Sequence, residues 1–153
     1  MESVDPDVLL GLAPLGLWAT GQRVIEPADG CCELVVETRP VLDAADERLF
    51  CTGCGTMGRL KATVARLLAH APICGRVTRL LVRVPEITCQ YCARTWRLDM
   101  SAAAAPRGVL THAATRWALE AVAVDNMAVS RVAARLGVSW HTANNAVLAE
   151  GHR

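Results

Sequence analysis

The chain has 153 residues, of which 52% are hydrophobic and 20% charged, and carries a formal net charge of +1. That length suits one domain of ordinary size or two small ones, and the composition excludes an intrinsically disordered chain. No apolar run reaches the ~20 residues of a membrane helix, and the acidic start lacks the basic region of a signal peptide, so the expectation is a cytoplasmic protein with no membrane partner.

The small net charge hides an uneven distribution. Residues 1–50 hold 3 Lys/Arg against 10 Asp/Glu, residues 51–100 hold 8 against 2, and residues 101–153 hold 5 against 3. A basic middle of this kind either faces nucleic acid or is ordinary solvated surface.

Residues 1–48 read as an acidic lead-in followed by a β-hairpin. "QRVIE" and "CCELVVET" are β-prone, and "PADG" between them is a turn signal. Cys31 and Cys32 are neighbours on a strand and point to opposite faces, so at most one of them faces the hairpin core. With Cys74, they are expected to be packing residues.

Residues 49–100 carry two cysteine pairs, Cys51/Cys54 and Cys89/Cys92, with 34 residues between them. A C-x2-C turn presents two sulfurs from one tight loop, and Gly55 suits the left-handed backbone such a turn often needs. Two such turns brought together place four thiolates around one tetrahedral ion, which is a closed structural zinc site. Iron in the same four-sulfur geometry, a thioredoxin-like thiol pair and four buried free thiols are the alternatives. His70 lies between the pairs as a further candidate ligand, although four cysteines already complete the shell. A typical ribbon has ~15–20 residues between its pairs. The longer spacer here leaves room for an extra helix and strand. From Arg76 the spacer alternates and is β-branched, which predicts a strand leading into the second pair. Zn2+ would replace the core that a ~50-residue module cannot build from apolar side chains alone. Arg76, Arg79, Arg94 and Arg97 belong to this basic segment and are candidate phosphate contacts.

Residues 101–108, "SAAAAPRG", read as a linker. From Val109 the pattern turns helical: Leu110, Ala113, Ala114, Trp117, Ala118, Ala121 and Val122 recur at three- and four-residue spacing. "VDN" breaks that helix. A second short helix fits "AVSRVAARL", and "GVS" is a tight turn. Ser139 caps a third helix, "WHTANNAVLAE". Ala133 and Gly137, four apart, match the spacing of a DNA-binding helix-turn-helix over residues 109–153. The candidate DNA contacts are Ser139, Trp140, His141, Thr142, Asn144 and Asn145 on the last helix, with Arg131 and Arg135 before it. Asn can pair bidentately with adenine, and Thr can meet a thymine methyl. Trp140 is as well suited to anchoring a core. The expected fold class is α+β: a small β-hairpin and zinc-ribbon-like module followed by an all-α three-helix helix-turn-helix.

The order "CTGCG", a basic segment, "CQYCARTW" and then "VSRVAARLGVSWHTANNAV" resembles the N-terminal region of insertion-sequence transposases of the ISL-three type. The resemblance covers roughly residues 15–150. It implies that Cys51, Cys54, Cys89 and Cys92 hold zinc, and that residues 139–145 begin a DNA-reading helix directed at the terminal repeats of a mobile element. The implied partner is double-stranded DNA, with a second copy or full-length transposase as a further partner and no small-molecule substrate. The implied setting is a bacterial nucleoid. The family's catalytic domain, with three acidic residues holding two metals, would lie beyond Arg153, so the chain itself is expected not to be an enzyme. A stand-alone regulator derived from a transposase and a zinc-stabilised protein-interaction module are the competing expectations.

Overall fold

The structure, a computed structural model, describes residues 5–26, 28, 30 and 32–153. Among these residues the strands are β1 (Leu17–Ile25), β2 (Glu33–Pro40), β3 (Arg59–Ile73), β4 (Arg76–Thr88) and β5 (Thr95–Arg97). The helices are α1 (Pro6–Leu9), α2 (His112–Ala123), α3 (Val129–Leu136) and α4 (Trp140–Gly151). All five strands join one mixed sheet in the order β1-β2-β4-β3, with β5 added to β4. The hairpin turn between β1 and β2 includes Pro27, Asp29 and Cys31, which lie outside the described residues.

This sheet overturns the expected division into a separate hairpin and zinc-ribbon-like module followed by an all-α three-helix helix-turn-helix. β2 runs parallel to β4, from Glu33↔Val77 to Thr38↔Val82, so the acidic hairpin and the cysteine-bearing segment share one sheet. The helices follow the sheet and pack on it. Ala69 of β3 is buried in the same cluster as Ala114, Ala118, Val132, Leu136 and Ala143. The physical reason lies in the size of those side chains. A helical core made largely of alanine removes little apolar area from water by itself, and the sheet supplies the missing surface.

β3 is a 15-residue strand although its run "RLKATVARLLAHA" is rich in good helix formers. Tertiary pairing overrides that propensity. β3 is laddered to β4 from Arg59↔Thr88 to Ile73↔Arg76. The turn between them is closed by Cys74 (φ 51°) and Gly75 (φ 73°), the two left-handed residues of a tight hairpin. Cys74 is therefore an exposed turn residue rather than a packing residue, and Cys32 is half-buried.

One face of the sheet carries the main core, in which Leu12, Leu17, Val36, Leu68, Leu80 and Val82 are buried. The middle of the alanine tract of residues 102–105 is part of this core. Ala103 and Ala104 are 0% and 1% exposed. Beside it, the Arg66 guanidinium donates to the Ala105 and Gly108 carbonyls at 3.1 and 2.8 Å. Residues 109–111 then run along the outer edge of β3, with Ala69 N–H donating to Val109 O and Thr111 N–H to Ala69 O.

A buried polar relay joins the N-terminal segment, β3 and α2. His70 is 2% exposed. Its Nε2 lies 3.1 Å from the Leu10 carbonyl and its Nδ1 lies 2.9 Å from the Thr111 hydroxyl. The carbonyl can only accept, so Nε2 carries the proton and Nδ1 accepts from Thr111. Thr111 Oγ1 in turn caps α2 by accepting from Ala114 N–H at 3.1 Å. Every polar atom of the relay is satisfied with the imidazole neutral, and burial pushes the His70 pKa down despite the Leu10 bond. The unfolded chain therefore takes up the proton first, so stability is present above about pH 6.5 and is lost as pH falls below it. Urea titrations at pH 7.5 and 5.5 should show that loss, and His70→Gln should flatten the difference while destabilising the protein by ~1–3 kcal/mol at pH 7.5.

Candidate metal centre

The two cysteine turns meet at the far end of the β3–β4 ladder. Cys51 and Cys54 lie just before β3, while Cys89 and Cys92 follow β4 directly, so the ladder brings the pairs together across the 34-residue spacer. In the first turn, Cys51 N–H donates to Thr56 O and Gly55 N–H to Cys51 O, at 2.9 and 2.8 Å. In the second, Cys89 N–H donates to Arg94 O at 2.8 Å. Gly55 and Ala93 occupy the same place, one residue after the second cysteine of each pair. Both are left-handed, with φ of 70° and 54°.

All four sulfurs lie within 4.8 Å of one another. Cys51–Cys92 and Cys54–Cys89 are 3.4 Å apart, and Cys54–Cys92 4.0 Å. A tetrahedron of sulfurs at ~2.3 Å from a central zinc has edges of ~3.8 Å, so these separations match a four-thiolate shell. Cys51 and Cys89 are buried, while Cys54 and Cys92 are exposed. The four cysteines can coordinate a metal ion. His70 is not among them, because both its ring nitrogens are engaged elsewhere.

The surrounding groups set the charge of the sulfurs. The N–H groups of Gly53 and Cys54 lower the Cys51 pKa. The Thr56 hydroxyl, 3.4 Å from Cys54 Sγ, holds that thiol down at about 6, helped by the Thr56 N–H and Cys89. At Cys92 the Arg94 N–H pulls downward, but the Cys51 and Cys89 thiols compete for the same negative charge and push it up to about 11. The cluster thus favours charge on one side until a cation neutralises the rest.

Residues that the sequence reading passed over brace this end. Arg48 binds the Asp46 carboxylate at 2.6 Å and donates to the Val41 and Asp99 carbonyls at 3.0 and 3.1 Å. That pairing holds Asp46 below its usual carboxylate range. Trp96 Nε1 donates to Arg48 O at 3.0 Å. The Trp96 ring also crosses Gly58, where a Cβ would lie 2.7 Å from it and would collide with Ile87. Only the Ala93 strain had a sequence signal: the second pair carries alanine where the first carries glycine.

The arginines fall into two groups. Arg94 and Arg97 stand at the metal end, Arg94 3.4 Å from the Thr52 hydroxyl and Arg97 3.8 Å from Glu86. Arg76, Arg131 and Arg135 stand at the opposite end, where Arg135 donates to Gly75 O at 3.2 Å. Most of β4 separates the two groups: Arg97 pairs with Glu86, ten residues along the strand from Arg76, a span of ~33 Å at ~3.3 Å per residue. Arg79 is used inside the fold. It pairs with Glu33 at 3.2 Å and donates to the Gly137 and Leu136 carbonyls at 2.5 and 3.4 Å, fixing the end of α3 to the sheet.

On α4, Ser139 caps the helix by accepting from Thr142 N–H at 3.1 Å, and its hydroxyl also meets the Thr142 hydroxyl. Trp140 is 48% exposed and stacks edge-on against His141. Asn145 is exposed and Asn144 half-buried, while Ala143 and Ala146 face inward. α3 has Ala128 at its N-cap and no capping side chain, and Gly137 closes it in the left-handed conformation.

No family model, no curated protein and no solved structure matches this chain.

Two outcomes follow from the cysteine geometry. Loading with zinc must displace the Cys92 proton, so affinity should fall by roughly 100-fold or more from pH 7 to pH 5, read by competition with a chromophoric chelator. Relieving the left-handed alanine with Ala93→Gly should stabilise the metal-loaded protein by about 0.5–1 kcal/mol in thermal unfolding, whereas Gly55→Ala should destabilise it by a similar amount.

Proposed function

We propose that the chain is a zinc-stabilised DNA-binding protein, the target-recognising part of machinery like the ISL-three-type transposases that its cysteine pairs and C-terminal segment resemble. In this reading the four cysteines hold one structural zinc, and α4 enters the major groove. The observation that carries the DNA reading is the asymmetry of α4. Its alanine face is buried, while its capped first turns leave Trp140, His141 and Asn145 uncovered, with Arg131 and Arg135, which make no ion pair among the described residues, on the preceding helix α3. Asn145 suits adenine and His141 a base edge or phosphate, and a helix N-terminus favours the phosphate backbone. The reading assigns recognition, not strand cutting, to this chain. Bacterial origin and nucleoid association belong to the same proposal. Among the described residues no helix is long and apolar enough to cross a membrane.

A protein-interaction role is the second reading. It is favoured by a cleft of about 300 Å³ whose lining includes Trp18, Leu42, Leu60 and Pro85, with Leu60 68% exposed. Salt separates the two, because DNA binding through several phosphates weakens steeply as salt rises.

The test is a gel shift of the purified chain on its own flanking genomic DNA. Selective binding is expected, with Asn145→Ala losing about tenfold or more on the selected duplex and little on random DNA. Because the cysteines follow the end of β4 while the turn into α4 is tied to its start through Arg79, stripping zinc should lower the unfolding temperature while leaving selective binding measurable in the cold. A folded, zinc-loaded chain without selective binding would sink the DNA reading and leave protein interaction as the better account.

A further inference from the structure

We infer that the cleft between the β3–β4 turn and α3 is a binding site for a phosphate-bearing anion; resting on the DNA reading, its natural occupant is a backbone phosphodiester of the duplex that α4 reads. The cleft has a volume of about 480 Å³, and its walls include Arg76, Arg131, Arg135, Gly75 and Cys32.

Three features point to an anion. First, Arg76, Arg131 and Arg135 come from two elements that meet only in the fold, so the convergence is absent from the linear charge pattern. Second, none of the three makes an ion pair among the described residues, whereas Arg79 and Arg83 on the same strand as Arg76 face Glu33 and Glu37 at 3.2 and 4.0 Å. The sheet pairs its inner arginines with glutamates and leaves these outer ones without an ion pair among the described residues. Third, Arg131 and Arg135 are four apart on α3, an arrangement of like charges that destabilises a helix, and α3 has no capping side chain to offset it. Arg135 is held in place by the Gly75 carbonyl at 3.2 Å, which leaves its other N–H groups free to donate. A guanidinium cluster held in this way fits the tetrahedral oxygens of a phosphate.

The cleft also lies at the right place for a backbone contact. Arg135 precedes the Gly137–Ser139 turn into α4, so a duplex seated on the α4 N-terminus passes close to it. Arg94 and Arg97, ~33 Å or more away along β4, belong to a different part of the surface.

The experiment compares wild type with Arg131→Gln/Arg135→Gln and, separately, with Arg76→Gln. It has two arms: binding of a 20-base-pair duplex across a salt series, and thermal protection by inorganic pyrophosphate. Arg94→Gln/Arg97→Gln serves as the control. The expected result is that the α3 double variant flattens the log–log salt slope by about 1.8, at about 0.9 per lost phosphate contact, and loses pyrophosphate protection. The control should keep its slope. If no variety of duplex binds but pyrophosphate protects wild type and not the α3 variant, the anion site stands with a free phosphate as occupant, and the DNA reading falls. Salt slope and pyrophosphate protection both unchanged in folded α3 and Arg76 variants would overturn the site, whether or not the protein binds DNA.

Discussion

Strand β4 is hydrogen-bonded along both of its edges, and the position of nearly everything else follows from that. On one side it takes β3 over its whole length. On the other it takes β2 along its first half and β5 at its last three residues. Its start anchors α3 through Arg79, and its end delivers Cys89 to the sulfur cluster. The cysteine cluster and the helical end therefore lie at two ends of one continuous ladder rather than in two modules on a tether. A metal held by both turns would tie the ends of β3 and β4 together beside the packing of Trp96 on Gly58 and Ile87.

The same arrangement changes the meaning of the charge pattern. An acidic first third and a basic middle look like a chain with a nucleic-acid-facing half. In the fold the two are neighbours, and Glu33 and Glu37 of β2 face Arg79 and Arg83 of β4. Much of the contrast is spent within the sheet. Arg76, Arg131 and Arg135, at the helical end of the ladder, make no ion pair among the described residues, whereas Lys61 and Arg97 near the cysteine end share Glu86.

The cysteine cluster was legible because its logic is local: two C-x2-C turns have few uses, and their pairing needs no knowledge of the path between them. The end of α3 and the start of α4 were legible for a similar reason, as Gly137 and Ser139 act within one turn of themselves, whereas the helical spacing from Val109 hid the Thr111 cap and the pairing of Leu110 with Ala69. The sheet was not. A parallel β2–β4 pairing depends on contacts between residues 44 apart, and no spacing in the sequence marks it. β3 was obscured by alanine and leucine, whose helical preference yields to a long neighbouring strand. The run of alanines at 102–105 looked like a spacer because small residues are common in linkers, yet small size is also what lets a backbone turn sit directly on a packed core. His70 was read for its metal-binding chemistry. Its role as a buried connector depends on Leu10 and Thr111, 60 and 41 residues away.

The parallel pairing of β2 with β4 also imposes an order on synthesis. β2 emerges first, with Leu34, Val35 and Val36 destined to be almost wholly covered, and its partner edge does not exist until 44 more residues have been made. At ~5–20 residues per second that interval is roughly 2–9 s. During it the nascent β1–β2 hairpin has an apolar face and an unpaired edge exposed near the ribosome. A chain built this way cannot complete its sheet until β4 has followed β2, so the apolar face of the hairpin is covered late in synthesis.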